Sequence, residues 1–340
     1  MNVLGDPRWF PILDVILLLL EDDRHSLATE EVSDILASRW LRERSFDTRD
    51  FVRLSATSRS VDGLADRRAI IIDANARRGG SAGKDRATTV HPLDAILFLS
   101  TPFQVIVENE WFDGGFMLWM AKGLGFTQLL QAYHKRRFVF RHAGGKDSIV
   151  RSARMFSESI WPRPNRSANL AFREWICVVL DNDARAPGDD PNRRIIEETQ
   201  LYVSFVHQLQ RRSIESYLSH ENLLKIDNTN LFRQRTAALF RLSAEQRRFY
   251  HMKRGFRFQR DIEPNKDNFM ASNDVTAEQK ALYSNICDRD WNLLMNGLGR
   301  GLSEIFVDPM KRPNTNQKDF VSPEERAELL NLFRSIYENM

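Results

Sequence analysis

Four short apolar runs in the middle of the chain constrain its fold more than any other feature. Each is rich in β-branched or aromatic side chains, as is typical of buried strands. The runs are residues 103–107, 137–140, 175–180 and 201–206. Helical patterns separate them, near residues 114–133, 146–160 and 190–199. Strands that alternate with helices predict an α/β fold, with a mainly parallel sheet flanked by helices.

The remainder of the chain is predicted to be mainly helical, and it divides the protein into three regions. Residues 1–98 form a helical N-terminal region, residues 99–220 the α/β region, and residues 221–340 a helical C-terminal region. The N-terminal region contains the first core helix in the run 9–20, a helix capped by Thr29, and a run at 69–73 compatible with a strand. The expected C-terminal helices lie near 229–249, 276–303 and 323–338, the last starting at Ser322.

Composition narrows the class of protein. Apolar residues make up 42% and charged residues 28% of the chain, as in a globular protein with a buried core. Lys and Arg number 49 against 46 Asp and Glu, so any basic surface must be local. Two cysteines, Cys177 and Cys287, cannot build a disulfide framework or a zinc site by themselves. We therefore expect a cytoplasmic protein in which Cys177 is a buried thiol.

A membrane segment is not expected. The longest apolar run, residues 9–20, contains Pro11 and Asp14, and it is shorter than the roughly 20 residues of a spanning helix. Acidic residues follow it at 21–23 where a signal peptide would have a small-residue cleavage site. The stretch at 77–84 is rich in glycine and basic residues, so it is predicted to be a flexible loop or linker. It does not match a nucleotide-binding phosphate loop, because its glycine spacing differs and Asp85 follows Lys84.

Carboxylates follow three of the four predicted strands. They are Glu108, Glu110 and Asp113 after the first, Asp181 and Asp183 after the third, and Glu215 beyond the fourth. The carboxyl ends of parallel strands share one edge of a sheet, where ligands bind. Crowded carboxylates repel unless a cation bridges them, and oxygen ligands suit Mg²⁺ or Mn²⁺. The alternative is that such acids only cap helices, form turns or, like Glu110, lie in a solvated loop.

The second predicted strand leads instead to a glycine-lysine turn. Gly144 and Gly145 would let backbone amides approach an anion at a helix start, and Lys146 adds a positive charge. This turn would suit a phosphate group beside a metal site. The alternative is a plain tight turn.

Two basic patches are candidates for nucleic-acid contacts. The first has Lys135, Arg136, Arg137, Arg141, Lys146, Arg151 and Arg154; the second has Arg241, Arg247, Arg248, Lys253, Arg254, Arg257 and Arg260. The second patch interleaves Phe249, Tyr250, Phe256 and Phe258, which could stack on unpaired bases. Alternatively, both are solvated helix faces with their core aromatics. His142 and His207 lie near strand ends without metal-ligand spacing, so we expect them to be structural.

These motifs resemble the TOPRIM fold, the catalytic module of topoisomerases, primases and the overcoming-lysogenization-defect nucleases. Residues 105–108 and 113–116 resemble its first strand, glutamate and next helix, and residues 180–183 resemble its Asp-x-Asp. Residues 207–218 are similar to a stretch found in the overcoming-lysogenization-defect nucleases. Residues 144–146 resemble a turn in TOPRIM effectors of ATPase-linked anti-phage systems. This chain has Asn109 where the family usually has glycine, which leaves Glu108 or Glu110 as the primary acid; we favour Glu108.

The resemblance implies a Mg²⁺- or Mn²⁺-dependent endonuclease acting on DNA or RNA. The expected metal ligands are Glu108, Asp113, Asp181, Asp183 and Glu215. Gly144 and Gly145 would bind phosphate, and Lys146 would stabilise its developing charge. An anti-phage effector of this kind would be a homo-oligomer held dormant by self-association or by a separate ATPase chain.

Two other functions are compatible with the same residues. A glycosyltransferase could use Asp181-Asn182-Asp183 for a metal-bound sugar nucleotide, but it would not need Glu108 or the basic patches. A non-catalytic TOPRIM module could keep the fold as a docking surface. Metal-dependent cleavage of DNA or RNA by the purified chain distinguishes all three.

Overall fold

A computed structural model gives the fold of the chain. It describes residues 3–21, 25, 27, 32–57, 69–76, 81–82, 87–158, 170–257, 265–308 and 322–340. Thr29, Arg260, Phe258 and residues 77–80 and 83–84, which the sequence analysis singled out, lie outside these residues.

A four-stranded parallel sheet forms the centre of the α/β region. Its strands are β4 (Phe103–Val107), β5 (Phe138–His142), β6 (Ile176–Leu180) and β7 (Phe205–Gln208). Their order is β5-β4-β6-β7, and every neighbouring pair is parallel. The expected α/β fold with a parallel sheet and flanking helices is therefore confirmed.

Alternate residues of the central strands point to opposite faces of this sheet, as strand geometry requires. On one face, Val105 and Cys177 belong to a large hydrophobic cluster that extends into the C-terminal helices. On the other face, Ile106 and Val178 pack with Ile149 of helix α8. The two central strands β4 and β6 are buried along their whole length because helices cover both faces. Cys177 is a buried thiol, as predicted.

Seventeen α-helices surround the strands in the described residues. In the N-terminal region they are α1 (Phe10–Glu21), α2 (Val32–Leu36), α3 (Arg39–Arg42), α4 (Phe46–Thr57) and α5 (Pro92–Ser100). In the α/β region they are α6 (Phe112–Gly123), α7 (Thr127–His134), α8 (Ile149–Glu158), α9 (Leu170–Arg173) and α10 (Arg193–Thr199). In the C-terminal region they are α11 (His220–Ile226), α12 (Asn230–Arg241), α13 (Ala244–Phe249), α14 (Lys266–Ala271), α15 (Ala277–Tyr283), α16 (Asp288–Leu294) and α17 (Pro323–Asn339).

Three predicted elements differ from the structure. The single helix expected at 114–133 is two helices, α6 and α7, because Gly125 takes a left-handed conformation between them. The fourth strand starts at Phe205 and not at 201, since pairing with β6 begins at the Cys177–Phe205 register. The second strand extends to His142, so Arg141 and His142 lie within β5.

The N-terminal region combines helices with a small second sheet. Strands β1 (Ala69–Ile72), β2 (Ser81–Ala82) and β3 (Ala87–Val90) are ordered β1-β3-β2. The strand at 69–72 fits the sequence analysis, whereas Ser81 and Ala82 belong to a strand and not to the expected loop. Helix α1 covers most of the predicted first core helix, and its Asp14 accepts hydrogen bonds from Trp40 Nε1 at 2.9 Å and Arg44 Nε at 2.7 Å.

The C-terminal region packs directly on the α/β region. Phe306 contacts Phe116 and Trp119 of α6, with ring centroids 5.3 and 5.4 Å apart. No strand occurs in the described part of residues 221–340, as predicted, and α17 begins with the expected capping box at Ser322. The division at residues 98 and 220 stays a prediction.

None of the helices among the described residues has the length and apolarity to cross a bilayer.

Candidate active site

A large cleft opens at the carboxyl edge of the parallel sheet. Its volume is about 1260 Å³. Four of the predicted site residues line it, and we call them the carboxylate cluster: Glu108, Asp113, Asp181 and Glu215. They follow β4, β6 and β7, so the shared edge of three parallel strands brings them together. Asp183, Lys146, Gly144, Gly145 and Glu110 do not line this cleft.

The loop after β4 fixes one member of the cluster, Asp113. Asn109 Oδ1 accepts hydrogen bonds from the backbone N–H groups of Trp111 and Phe112, both at 3.0 Å, and so starts helix α6. Asp113 Oδ2 accepts the backbone N–H of Asn109 at 2.8 Å. Burial, opposed by this hydrogen bond and reinforced by the charges of Glu108 and Glu215, raises the pKa of Asp113 from 3.8 to about 7.

Asp181 lies where β6 ends, beside the other acids. Burial raises its pKa well above the ordinary value, and the charges of Asp113 and Glu215 raise it further. The side chain has no cationic partner among the described ion pairs. The negative charge of the cluster is therefore only partly balanced by protein groups.

Glu215 is the most buried member of the cluster, with 1% of its surface exposed. It lies in a 3-10 helix (Ile214–Tyr217) and not at the start of an α-helix. Its Oε1 pairs with Lys253 Nζ at 2.8 Å and accepts the hydroxyl of Ser303, whereas its Oε2 is buried without a hydrogen-bond partner. Burial would raise the pKa of Glu215, but Lys253 holds it below its ordinary value.

Helix α17 holds the loop that carries Glu215. Glu328 accepts the backbone N–H of Gln210 at 2.7 Å and the Tyr217 hydroxyl at 2.8 Å. Arg211 pairs with Glu325 of the same helix. These contacts are made by residues before and after Glu215 in the sequence. Helix α17 therefore helps to set the position of Glu215 at the edge of the sheet.

Asp183 and Lys146 form an ion pair beside the cluster. Asp183 has a left-handed backbone (φ 57°), and its charge acts on Asp181. Gly144 and Gly145 also have positive φ, which explains why glycine occupies both positions. Open space surrounds the missing side chain of each, so conformation and not close packing requires them.

The two basic patches are largely engaged within the protein. In the first, Arg141 donates to Gln104 at 2.6 Å and Arg154 pairs with Glu158 at 3.1 Å. In the second, Arg247 donates to backbone carbonyls and Arg248 donates to Gln210 O at 3.0 Å.

The expectation that aromatic side chains of the second patch stack on bases is wrong for three of its four rings. Phe249, Tyr250 and Phe256 are buried core residues. Phe256 stacks on Trp291, with ring centroids 4.0 Å apart, and its ring is too deeply buried to reach a base.

Sequence reasoning missed several residues that complete the cleft. Lys253, Arg254 and Arg257 belonged to the second patch but were not linked to the carboxylates, and Asn109, Arg300 and Ser303 were not considered as site residues. They lie in loops of the C-terminal region whose path no local pattern predicts. Closely spaced glycines at 297, 299 and 301 are the one local signal near Arg300.

The carboxylate cluster could hold a divalent cation, although no three His, Cys, Asp or Glu side chains within the described ranges are already arranged around one point as ligands. Oxygen donors, raised pKa values and the orphaned Oε2 of Glu215 suit a hard cation such as Mg²⁺. Comparisons with protein-family models, with curated proteins and with solved structures found no match to this chain.

Proposed function

We propose that this protein is a Mg²⁺- or Mn²⁺-dependent nuclease that hydrolyses phosphodiester bonds. One observation carries the proposal. Acids from the ends of three parallel strands and cations from the C-terminal region line the same cleft. Phosphodiester hydrolysis needs both kinds of group, because carboxylates bind the metal and cations offset the charge of the phosphate.

Glu108, Asp113, Asp181 and Glu215 would hold the metal. A bound Mg²⁺ supplies a water of lowered pKa and neutralises charge on the phosphate. Asp113, with a pKa of about 7, would give up its proton when the cation binds near neutral pH. Asp183 adds negative charge beside Asp181 while its carboxylate pairs with Lys146.

The protein groups around the cluster orient its members. The Asn109 backbone N–H directs Asp113 Oδ2, and Ser303 and Lys253 direct Glu215 Oε1, which leaves Glu215 Oε2 available to a cation. These contacts keep the acids fixed in the absence of substrate, which lowers the reorganisation needed for catalysis.

The test is cleavage by the purified chain. Single-stranded DNA, double-stranded DNA and RNA are incubated with Mg²⁺, with Mn²⁺ or with EDTA. We expect metal-dependent cleavage of at least one substrate and its loss in Asp181→Asn. Absence of cleavage of every substrate with both metals, or equal activity in Asp181→Asn, would contradict the proposal. Hydrolysis of a sugar nucleotide instead would favour the glycosyltransferase.

A role as an anti-phage effector with a separate ATPase partner extends this proposal. It is supported by the resemblance of the Gly144-Gly145-Lys146 turn to such effectors and by the failure of residues 77–84 to match a nucleotide-binding loop. The partner would restrain a cleft that the described residues leave open. Co-purification of an ATPase with the tagged Asp181→Asn chain from its native cells tests the partnership.

A further inference from the structure

Three arginines line the cleft together with the carboxylate cluster. We call Arg254, Arg257 and Arg300 the arginine wall. All three side chains are exposed, and within the described residues none of them pairs with a carboxylate. Within the part of the chain that the structure describes, the one hydrogen bond from these three side chains runs from Arg257 Nη2 to Asn296 Oδ1 at 3.1 Å. Their positive charges are therefore available to a ligand in the cleft.

Two backbone segments cross to build this wall, and the crossing requires glycine. Gly255 and Gly297 both have left-handed backbones, with φ of 64° and 69°. A Cβ atom on Gly255 would lie 2.1 Å from the carbonyl oxygen of Leu294, and one on Gly297 would lie 2.6 Å from the backbone nitrogen of Gly255. Only glycine permits such close contact between the two backbones.

Hydrogen bonds between the two segments and aromatic packing in the core stabilise this crossing. Phe256 N donates to Met295 O at 3.1 Å, and Leu298 N donates to Met252 O at 2.7 Å. The ring of Phe256 stacks on Trp291 in the core. The backbone that carries the arginine wall is thus anchored in the core before any ligand binds, which lowers the entropic cost of binding an anion.

Lys253 cannot replace the wall, because it is already neutralised. Its ammonium pairs with Glu215 at 2.8 Å, within the carboxylate cluster. A phosphate drawn to the cluster by a metal would still leave neighbouring phosphates near five acids that line the cleft, the four of the carboxylate cluster and Glu304. The unpaired guanidinium groups are the cleft residues suited to contact those neighbours, since guanidinium binds phosphate oxygens in a bidentate manner.

We propose that the arginine wall binds phosphates next to the one that reacts, so that the substrate is a polynucleotide and not a mononucleotide or a small diester. This inference rests on the proposed nuclease function for the position of the reacting phosphate. In this inference, Arg254, Arg257 and Arg300 bind the phosphates of the polynucleotide that are not hydrolysed.

Binding without chemistry tests the inference first. Fluorescent single-stranded DNA and RNA oligonucleotides are titrated in EDTA over a series of salt concentrations. Replacing Arg254, Arg257 and Arg300 together by Ala should weaken binding roughly tenfold or more and lower the salt slope by about two. A control with Arg39, Arg193 and Arg194 replaced removes the same charge from exposed helix pairs outside the cleft, and should change affinity less than about twofold. Equal binding by the wall variant, or equal losses in both variants, would overturn the inference.

Hydrolysis of a small diester separates this inference from the proposed function. Bis(p-nitrophenyl) phosphate has a single phosphate, so the wall variant should lose much less of its activity on this diester than of its cleavage of oligonucleotides. Glu108→Gln should lose both activities and keep oligonucleotide binding in EDTA. If the wild type hydrolyses neither substrate but binding still depends on the wall, the nuclease proposal fails and the inference stands. If the wall variant cleaves oligonucleotides like the wild type, the inference fails and the nuclease proposal stands.

Discussion

Glu108 and Glu110 provide a test of the site at the scale of a single residue. Glu108 lines the cleft and acts on the pKa values of Asp113 and Asp181, whereas Glu110 is exposed and outside it. We expect Glu108→Gln to lower metal-dependent cleavage about 100-fold or more, since it removes a proposed metal ligand. Glu110→Gln is the matched control and should keep wild-type activity. The opposite result would place the primary acid two residues later.

Asp181 should destabilise the protein when no metal is bound. Burial and the neighbouring acids oppose its ionisation in the folded state. Asp181→Asn removes that charge, so the thermal midpoint in EDTA should rise. Added Mg²⁺ should stabilise the wild type and have little effect on the variant. A lower midpoint for the variant in EDTA would show that the carboxylate has a structural partner instead.

The pH dependence of stability should reveal Asp113. Its pKa is about 7 in the folded protein against an ordinary 3.8, so the folded state retains a proton that the unfolded chain has lost. Stability contributed by this proton is present at low pH and is lost as the pH rises through about 7. We expect the thermal midpoint in EDTA to fall between about pH 4 and pH 7 and then to level off, and Asp113→Asn to reduce the fall. An unchanged slope in the variant would exclude Asp113 as its source.

Among the elements, helix α17 stabilises the loop that carries Glu215 without lining the cleft itself. Glu328→Ala leaves the Tyr217 hydroxyl and the Gln210 N–H without their acceptor. We expect a loss of about 1–3 kcal/mol in the free energy of unfolding, measured with denaturant, and faster amide exchange across 209–218. Glu324→Ala removes an exposed acid from the first turn of the same helix and should have a smaller effect. Equal effects of both substitutions would argue against the link to the loop.

Strand and helix types were predictable from the sequence because apolar runs and helical periods are local signals. Boundaries that depend on partners were not. Leu201 and its neighbours have strand-like composition, but β7 starts at Phe205, where its register with β6 begins. The break between α6 and α7 could have been predicted from Gly123 and Gly125. The helical pattern on both sides of these glycines made the region look like one continuous helix.

The acids of the site were predictable for the same reason: Glu108 and Asp181 directly follow strands of one parallel sheet, and Asp113 and Glu215 lie in the segments that come next. The cations were not, because Lys253 and Arg300 reach the cleft through the tertiary packing of helices. The nearness of the Glu215–Lys253 pair depends on how the C-terminal region folds back on the sheet. No spacing in the sequence encodes that distance.

At the scale of the whole molecule, the α/β region should not fold without the C-terminal helices. One hydrophobic cluster contains residues of β4, α6, α16 and α17, and Phe306 packs against Phe116 and Trp119. A chain that stops after residue 220 would expose this surface. We expect it to be rapidly proteolysed, and calorimetry of the full chain to show a single transition for both regions. Two separate transitions would show that the regions fold independently.

The intact chain should also show whether it restrains itself. Wild type and Asp181→Ala are expressed alone in cells at matched levels. If a separate partner holds the nuclease dormant, the lone wild-type chain should be toxic and the variant harmless. Harmless expression, followed by strong nuclease activity of the same chain after purification, would argue against restraint by self-association.

The bonds between helix α17 and the loop at 210–217 have a consequence for protein synthesis. Glu325 and Glu328 are translated more than a hundred residues after the loop they hold. During translation, every acid of the cluster therefore emerges from the ribosome before the helix that fixes Glu215 exists. A nascent chain would carry the proposed catalytic residues without their final arrangement. The nuclease activity proposed above would therefore begin only after helix α17 has been translated and has packed against this loop.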